Sequence, residues 1–280
     1  ARACLEGCNV LCFQPRIIHC HDWQTGLIPA YLKTIYQYDN FFNNTKSVFS
    51  IHNIAYQGIF PKETMFKTGI DYGEFVWQKL EFYGQINFLK AGLVYSDLII
   101  TVSPTYADEL RSNSNFAHGM EGILSYRKES FFGIINGVDL EVWNPDNDRC
   151  IEKNFNSKDL TGKEECKRKL CEIAGWKFDK DVPVIGMVSR LNFLKGFDLL
   201  ISSGEEMMKR KLKLFILGTG EEGIKNVLKK LEEKYPQKFF LCPEFNESLA
   251  HSVYAGSDIF LMPSRIEPCG ISQMIAMRYG

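Results

Sequence analysis

In the second half of the sequence, short apolar runs alternate with amphipathic stretches. The segments between them are short, and few folds place strands and helices so close together along the chain. The predicted strands are 182–188, 212–217, 239–242 and 259–262, and the predicted helices are 195–209, 221–234, 248–255 and 271–278. Strands and helices that alternate at this short spacing form a parallel sheet with helices on both faces. The sequence therefore predicts an α/β fold with a doubly wound parallel sheet in this half.

The first half shows the same order of strand and helix, though less regularly. Strands are predicted at 16–20, 47–51 and 98–103, and helices at 1–12, 27–36 and 86–97. Ser103 followed by Pro104 is a typical helix start, because serine caps a free N–H group and proline needs no partner there. Residues 112–125 are mostly polar and contain glycine, so they predict a loop.

A change in composition marks the predicted domain boundary. After Pro145 the sequence becomes rich in Lys, Glu, Asn and Asp, and this continues to about Lys180. We expect two domains, 1–147 and 148–280, with the charged linker counted in the second. A length of 280 residues is sufficient for two domains of ordinary size.

Composition and charge exclude several classes of protein. Hydrophobic residues make up 45% and charged residues 24%, which is typical of a globular protein. The net charge of −1 provides no basic surface, so nucleic acid is not an expected partner. No apolar run reaches about 18 residues, so we expect no membrane span. The nine cysteines are an odd number without a recognisable spacing, which favours a reducing compartment.

One cluster of cysteines invites a metal interpretation. Cys4, Cys8 and Cys12 share a predicted helical face, and residues 19–21 add two histidines and a cysteine. These residue types bind zinc in many proteins. A free cysteine is also a common small hydrophobe of protein interiors. We therefore predict no metal and no cofactor.

The last segment, 258–273, combines a strand, a charged loop and a helix N-terminus. The loop carries Arg265 and Glu267. Free N–H groups and the helix dipole suit an anion such as a diphosphate, and a carboxylate accepts hydrogen bonds from hydroxyls. The candidate donor-binding residues here are Glu267, Pro268, Cys269, Gly270, Ile271 and Ser272. This pattern fits a nucleotide sugar, and a surface loop with one solvated carboxylate is the alternative.

Two further loops carry candidate phosphate-binding residues. Arg190 and Lys195 lie between a predicted strand and a helix, where both can neutralise a diphosphate, although two solvated cations would give the same pattern. Gly218 and Gly220 begin a Gly-Thr-Gly-Glu-Glu-Gly segment that meets the formal description of a dinucleotide fingerprint. It follows the second strand of this unit instead of the first, so a dehydrogenase is the weaker interpretation.

In the first half, polar residues follow two predicted strands. Asp22 comes after the first, and His52 with Asn53 after the second. Polar residues at the carboxyl ends of strands are where open α/β sheets bind ligands. The alternatives are a helix-capping role for Asp22 and a structural role for His52. Asp22 with Glu267 would also allow a hydrolase with two carboxylates, but that mechanism depends on their separation.

Taken together, these segments resemble the motifs of the bacterial glycogen synthases and plant starch synthases, in the family's order. The matching segments are His21-Asp-Trp-Gln-Thr-Gly, His52-Asn-Ile-Ala-Tyr-Gln-Gly, Lys90-Ala-Gly-Leu, Thr101-Val-Ser-Pro-Thr-Tyr, Ser189-Arg-Leu with Lys195-Gly, and Ser264-Arg-Ile-Glu-Pro-Cys-Gly. Two positions depart from the family pattern. Ala117 stands where the family has glycine, and Leu194 where it commonly has glutamine.

The resemblance implies the GT-B fold, with two Rossmann-like domains, both incomplete here, and an active site in the cleft between them. It implies transfer of glucose from ADP-glucose to the non-reducing end of an α-1,4-glucan, with retention and without a metal. Arg190 and Lys195 would bind the diphosphate and Glu267 the glucose hydroxyls. His52 would orient the sugar and Asp22 would lie beside it. Asn53, Gly218 and Gly220 would complete the donor site.

The resemblance leaves alternatives open. A retaining transferase that uses UDP-glucose, like sucrose synthase, and a noncatalytic glucan-binding paralogue fit parts of the pattern. The family's N-terminal Lys-(Thr/Val)-Gly-Gly-Leu loop does not occur in this sequence, which looks like an internal fragment. We therefore expect weak or no activity from these residues alone. The expected location is the cytoplasm for a bacterial source and the plastid stroma for a plant or alga.

Overall fold

The computed structural model describes residues 1–280, and the chain divides into two compact units. Unit 1 is Ala1–Asn136 and unit 2 is Gly137–Gly280. The division falls ahead of position 147, where composition had suggested a boundary. No helix is both long and apolar enough to cross a membrane.

Unit 1 contains a parallel sheet and a small antiparallel one. Its strands are β1 (Ile17–His21), β2 (Lys46–Ile51), β3 (Ile59–Pro61), β4 (Glu81–Phe82), β5 (Gln85–Asn87), β6 (Leu98–Thr101) and β7 (Phe131–Gly133). Its α-helices are α1 (Arg2–Val10), α2 (Asp22–Thr25), α3 (Leu27–Lys33), α4 (Thr64–Thr68), α5 (Phe88–Tyr95), α6 (Pro104–Ser112), α7 (Ser114–Ala117) and α8 (Glu121–Tyr126). The parallel sheet has the order β1-β2-β6-β7, and the antiparallel sheet has the order β3-β5-β4.

Local sequence signals explain several boundaries in unit 1. The Ser103 hydroxyl accepts a hydrogen bond from the Tyr106 N–H, and Pro104 occupies the first position of α6, as predicted. The prediction of a loop at 112–125 is wrong. Asn113 caps α7, and α8 follows it. Leu124 is fully buried, so packing against the rest of the unit stabilises helices that a polar sequence does not reveal.

Unit 2 is a single parallel sheet with helices on both faces. Its strands are β8 (Val184–Val188), β9 (Lys213–Leu217), β10 (Phe239–Cys242) and β11 (Ile259–Phe260), in the order β10-β9-β8-β11. Its α-helices are α9 (Thr161–Ile173), α10 (Phe197–Lys209), α11 (Glu222–Lys234), α12 (Glu247–Gly256) and α13 (Ile271–Tyr279). All its strand pairs are parallel, so the predicted α/β fold is confirmed. The charged helix α9 was not predicted.

Alternate residues of β9 face two separate cores. Phe215 packs with buried residues of α9, α12 and α13 on one side of the sheet. Leu214 and Ile216 pack with α10 and α11 on the other side. Since the strands are parallel, their carboxyl ends lie at one edge of the sheet. The loops at that edge carry the predicted donor-binding residues.

Candidate functional site

Three loops at the carboxyl edge of the unit 2 sheet surround a small cavity of about 190 Å³. These loops follow β8, β9 and β10. The residues lining the cavity include Ser189, Arg190, Gly218, Thr219, Glu244, Phe245 and Asn246. Cavities for whole ligands are usually larger, about 300–1,000 Å³, so this one suits only part of a ligand. Arg190 is exposed beside it, as a phosphate-binding residue would need to be.

The glycines of the Gly-Thr-Gly segment allow two loops to approach each other. A Cβ on Gly218 would lie 1.7 Å from the Ser189 carbonyl oxygen, and one on Gly220 would lie 2.2 Å from that of Leu191. The Leu191 N–H donates to the Thr219 carbonyl at 2.8 Å. Both glycines therefore have a packing role, whether or not a ligand also contacts them.

The helix after this segment is poorly suited to a pyrophosphate. Helix α11 begins at Glu222, with Glu221 as its N-cap. Two carboxylates at a helix N-terminus occupy the place where a dinucleotide fold binds phosphate, and they would repel it. This charge argues against the dinucleotide interpretation of the glycine motif.

Lys195 and Glu267 meet, although 72 positions separate them. The Lys195 ammonium lies 2.6 Å from Glu267 Oε2, and both side chains are mostly buried, at 23% and 24% exposure. The Ser264 hydroxyl donates to the same oxygen at 2.8 Å. Asn192 accepts a hydrogen bond from the Lys195 N–H at 3.1 Å, which fixes the lysine backbone. The structure thus brings a cation and a hydroxyl-binding carboxylate to one place.

The N-terminus of α13 follows this pair directly. Gly270 is the N-cap with φ of +79°, and α13 begins at Ile271 with no acidic residue in its first turn. A Cβ on Gly270 would meet only the flexible Gln273 side chain, at 2.4 Å, so the left-handed backbone is what favours glycine there. The first N–H groups of a helix have no intrahelical partner.

The remaining predicted residues of this segment lie between Glu267 and the helix. Pro268, Cys269 and Ser272 are partly buried, and Ile271 is exposed. Burial raises the pKa of Tyr254. The backbone N–H of Ser272 lies in the first turn of α13, where it has no intrahelical partner and can bind a ligand.

In unit 1, Asp22 and His52 meet at the ends of neighbouring strands. Asp22 Oδ1 accepts a hydrogen bond from the His52 N–H at 2.8 Å. His21 Nδ1 lies 3.0 Å from His52 Nε2, and the two rings stack with centroids 5.3 Å apart. The alternative of Asp22 as an N-cap is not what the structure shows, because His21 is the N-cap of α2. The Asp22 carboxylate instead orients the His52 backbone.

The backbone around this pair is unusual. Asp22 has φ of +54°, a left-handed conformation that few non-glycine residues adopt and that often marks a functional site. Partial burial lowers the pKa of His19, and the nearby His21 and His52 lower it further. Asn53 Oδ1 accepts from the Ala55 N–H at 3.0 Å, so this predicted donor-binding side chain stabilises its own loop.

Beside these residues unit 1 has a groove of about 480 Å³. Its lining is Trp23, Ala55, Tyr56, Gln57, Gly58, Ile59, Phe82 and His118. A Cβ on Gly58 would lie 2.4 Å from the Trp23 ring, so the glycine permits the indole to lie against the loop. Tyr56 is 47% exposed. Sugar rings stack on exposed aromatic side chains of this kind.

One other group of residues has ligand atoms close together. Asp148, Cys150 and His251 have potential metal-binding atoms within 4.8 Å of one another. The Asp148 carboxylate is fully engaged, because Oδ2 contacts His251 Nδ1 at 2.7 Å and the Tyr279 hydroxyl at 2.5 Å, and Oδ1 accepts from the Cys150 N–H. These contacts satisfy the group as a buried hydrogen-bond network.

Known proteins are similar to this chain in sequence and in fold. Residues 1–126 match the family described as Starch synthase catalytic domain, and residues 172–280 match Glycosyl transferases group 1. A glycogen synthase of Elusimicrobium minutum is 46% identical over 280 residues, which are 100% of this chain and 58% of that enzyme. A glycogen synthase of Thermotoga petrophila is 45% identical over 278 residues, 99% of this chain and 57% of that enzyme.

A solved structure is also similar. The catalytic domain of Starch Synthase IV from Arabidopsis thaliana, bound to ADP and acarbose, gives a TM-score of 0.93 at 32% identity. The match covers 99% of this chain and 58% of that chain. The chain is similar to the glycogen and starch synthases along its whole length, and two family models each match one part of it. The GT-B fold that the resemblance implied is confirmed. The chain spans about 58% of the length of the curated relatives it matches.

Sequence reasoning missed three residues of the candidate site. His21 contacts His52, Ser264 contacts Glu267, and Phe245, 87% exposed, lines the unit 2 cavity. Two signals were available: His21 is the last residue of a strand, and Phe245 follows the end of β10. Nothing in the sequence indicated that Ser264 would reach Glu267.

Proposed function

We propose that this chain carries the donor site and part of the acceptor site of a glucan synthase. The enzyme would transfer glucose from ADP-glucose to the non-reducing end of an α-1,4-glucan, with retention of configuration. The contact of Lys195 with Glu267 at 2.6 Å is the observation that carries the proposal. It joins a phosphate-binding charge to a sugar-binding carboxylate at the start of α13, and a nucleotide sugar needs both.

Each part of unit 2 has a place in donor binding. The cavity of about 190 Å³ beside Phe245 would hold the base, since an exposed aromatic ring offers a stacking surface. Arg190 and Lys195 would bind the diphosphate, and the N–H groups at the start of α13 would bind its distal phosphate. Glu267 would accept hydrogen bonds from glucose hydroxyls, as its remaining oxygen, Oε1, is not used by Lys195 or Ser264.

The chemical step breaks the bond between glucose C1 and the diphosphate oxygen, and the electron pair leaves with ADP. The acceptor hydroxyl oxygen forms the new bond to C1 on the same face, and its proton passes to the departing diphosphate oxygen. Arg190 and Lys195 would stabilise the negative charge that develops on ADP, an electrostatic role. His52 and Asp22 would hold the sugar, with no residue acting as a covalent nucleophile.

The groove of unit 1 is our assignment for the acceptor glucan. Trp23, Tyr56 and Phe82 supply aromatic surface, and Gln57 and His118 supply polar groups. The similar starch synthase was solved with ADP and acarbose, which supports a nucleotide-sugar donor and a glucan acceptor here. That ADP ligand also favours ADP-glucose over UDP-glucose.

The first experiment measures ligand binding by this chain. Titration calorimetry with ADP, UDP and ADP-glucose is compared for the unmodified chain, Lys195→Ala and Glu267→Gln. Lys209→Ala is the matched control, because Lys209 pairs with Glu206 at 2.8 Å on the exposed surface of α10. We expect Lys195→Ala to weaken ADP binding about tenfold or more, the effect of losing one charge-assisted hydrogen bond.

Glu267→Gln should weaken ADP-glucose more than ADP, because it contacts the sugar. Transfer of labelled glucose to glycogen, with ADP-glucose and UDP-glucose in parallel, tests the reaction itself. Binding of glycogen without binding of any nucleotide would support a noncatalytic glucan-binding paralogue. Binding of UDP alone would retain the site and reject the ADP-glucose assignment.

A further inference from the structure

The Arg265 guanidinium contacts both carboxylate oxygens of Asp198, which lies in the first turn of α10. Its Nε lies 3.2 Å from Asp198 Oδ1, and its Nη2 contacts the other carboxylate oxygen. The guanidinium also lies over the Phe193 ring, 4.8 Å from the centroid. The paired hydrogen bonds lower the pKa of the Asp198 carboxyl and raise that of Arg265. We call Phe193, Asp198 and Arg265 the arginine clamp.

The clamp joins the two loops that carry Lys195 and Glu267. Asp198 follows Lys195 by three residues, and Arg265 precedes Glu267 by two. The Arg265 N–H also donates to the Leu194 carbonyl at 2.9 Å, so backbone and side chain of one residue connect the same two loops. The clamp thus fixes the separation of the loops next to the Lys195–Glu267 contact.

An exposed ion pair usually contributes little to stability. The ion pair of the clamp differs from that case in its geometry. The Arg265 and Asp198 side chains are 40% and 34% exposed. Ion pairs of such exposure contribute little to stability unless they are bidentate or part of a network. This pair is bidentate, stacks on an aromatic ring and joins residues 67 positions apart. The pair therefore restricts the motion of the two loops more than it stabilises the overall fold.

We infer that Asp198 and Arg265 are positioning residues for donor binding. They hold Lys195 and Glu267 at the separation that places one against the diphosphate and the other against the glucose. Neither residue contacts the donor in this assignment. The inference rests on the proposed function, since it concerns the same site.

The test compares donor affinity in variants of the clamp with that in a matched variant. Asp198→Asn keeps the size of the side chain and removes its charge. Glu205→Gln is the control: Glu205 is also on α10 and pairs with Lys234 at 2.6 Å, but it does not contact either loop. Calorimetry should show about tenfold weaker ADP-glucose binding for Asp198→Asn and less than about twofold change for Glu205→Gln. Asp198→Glu, which keeps the charge, should recover part of the loss.

A second comparison separates positioning from general stability. In a Lys195→Ala background, Asp198→Asn should have almost no further effect on the affinity for ADP, because ADP lacks the glucose that Glu267 would contact and the effect then acts through Lys195. Full additivity of the two substitutions would overturn the inference, as would an Asp198→Asn variant that binds like Glu205→Gln. A loss of affinity that merely follows a lower unfolding midpoint would also overturn it. No binding of ADP or ADP-glucose by the unmodified chain would instead reject the proposed function, and this inference with it.

Discussion

Replacing Gly196 by alanine should separate the two donor loops. Gly196 has φ of +75°, and a Cβ there would lie 2.1 Å from the Pro263 carbonyl oxygen. Such contacts are essentially never shorter than 3.0 Å, so the loops must move apart by at least about 0.9 Å. The left-handed backbone adds a cost of about 1–2 kcal/mol for a residue with a Cβ. The variant should therefore be less stable by at least that amount.

The effect on donor binding follows from the same displacement. Lys195 precedes Gly196, and its ammonium lies 2.6 Å from Glu267. A shift of about 0.9 Å takes that contact beyond the 2.7–2.9 Å range of charge-assisted hydrogen bonds. A donor that loses one such bond to the displaced Lys195 or Glu267 binds about 1.5–3 kcal/mol more weakly, which corresponds to roughly 10- to 150-fold in Kd. Calorimetry with ADP-glucose measures the affinity, and urea unfolding measures the stability.

Gly223→Ala is the matched control for this substitution. Gly223 lies in α11, and a Cβ there would meet nothing within 4 Å. Alanine should stabilise that helix by about 0.5–1 kcal/mol and leave binding unchanged. If Gly196→Ala folds and binds ADP-glucose within about threefold of the unmodified chain, the argument that loop separation controls the site is refuted.

Three other substitutions test separate parts of the structure. Gly58→Ala should weaken glycogen binding but not ADP binding, because its Cβ would displace the Trp23 ring; equal loss of both ligands would contradict this. Arg190→Lys should bind ADP about tenfold more weakly, since lysine lacks the planar fork, and unchanged affinity would exclude a bidentate contact. Burial lowers the pKa of Lys163 to about 8. The unfolded chain therefore binds more protons above pH 8, and stability rises with pH there. Relative to Lys163→Met, the unfolding free energy should increase by up to about 2 kcal/mol from pH 8 to 9.5; a constant difference would refute the shift.

The unit 2 sheet was predictable because its two inner strands, β8 and β9, are buried on both faces and its outer strands are also apolar. Such strands appear as continuous apolar runs, and β10 at Phe239–Cys242 was predicted at its observed limits. Helix α9 was not predictable in the same way. Only Cys166, Leu170 and Cys171 supply its buried apolar stripe, and charged residues dominate the rest. A stripe that narrow resembles a charged linker until the sheet that it packs on is known.

The candidate site residues could be nominated one by one from the sequence, but their contacts could not. The strand-end rule nominated Asp22, His52, Arg190 and Glu267, whose binding roles stay predictions. It could not show that the side chain of Glu267 meets Lys195, because the geometry of two loops 72 residues apart depends on the whole sheet. The unexpected contact of His21 with His52 has the same origin, since it requires the register of β1 against β2.

The two glycine-containing loops of unit 2 show why a motif alone cannot locate a phosphate. Both precede a helix at the same edge of the sheet, so glycine content and position do not distinguish them. Charge does. Helix α11 begins with Glu221 and Glu222, which repel an anion, whereas the first turn of α13 has no acidic residue. Gly218 and Gly220 precede α11, and a Cβ at either position would clash with a backbone carbonyl oxygen. Packing of the two loops therefore explains both glycines. We therefore propose the diphosphate site at α13, the helix whose sequence matches the dinucleotide motif less well.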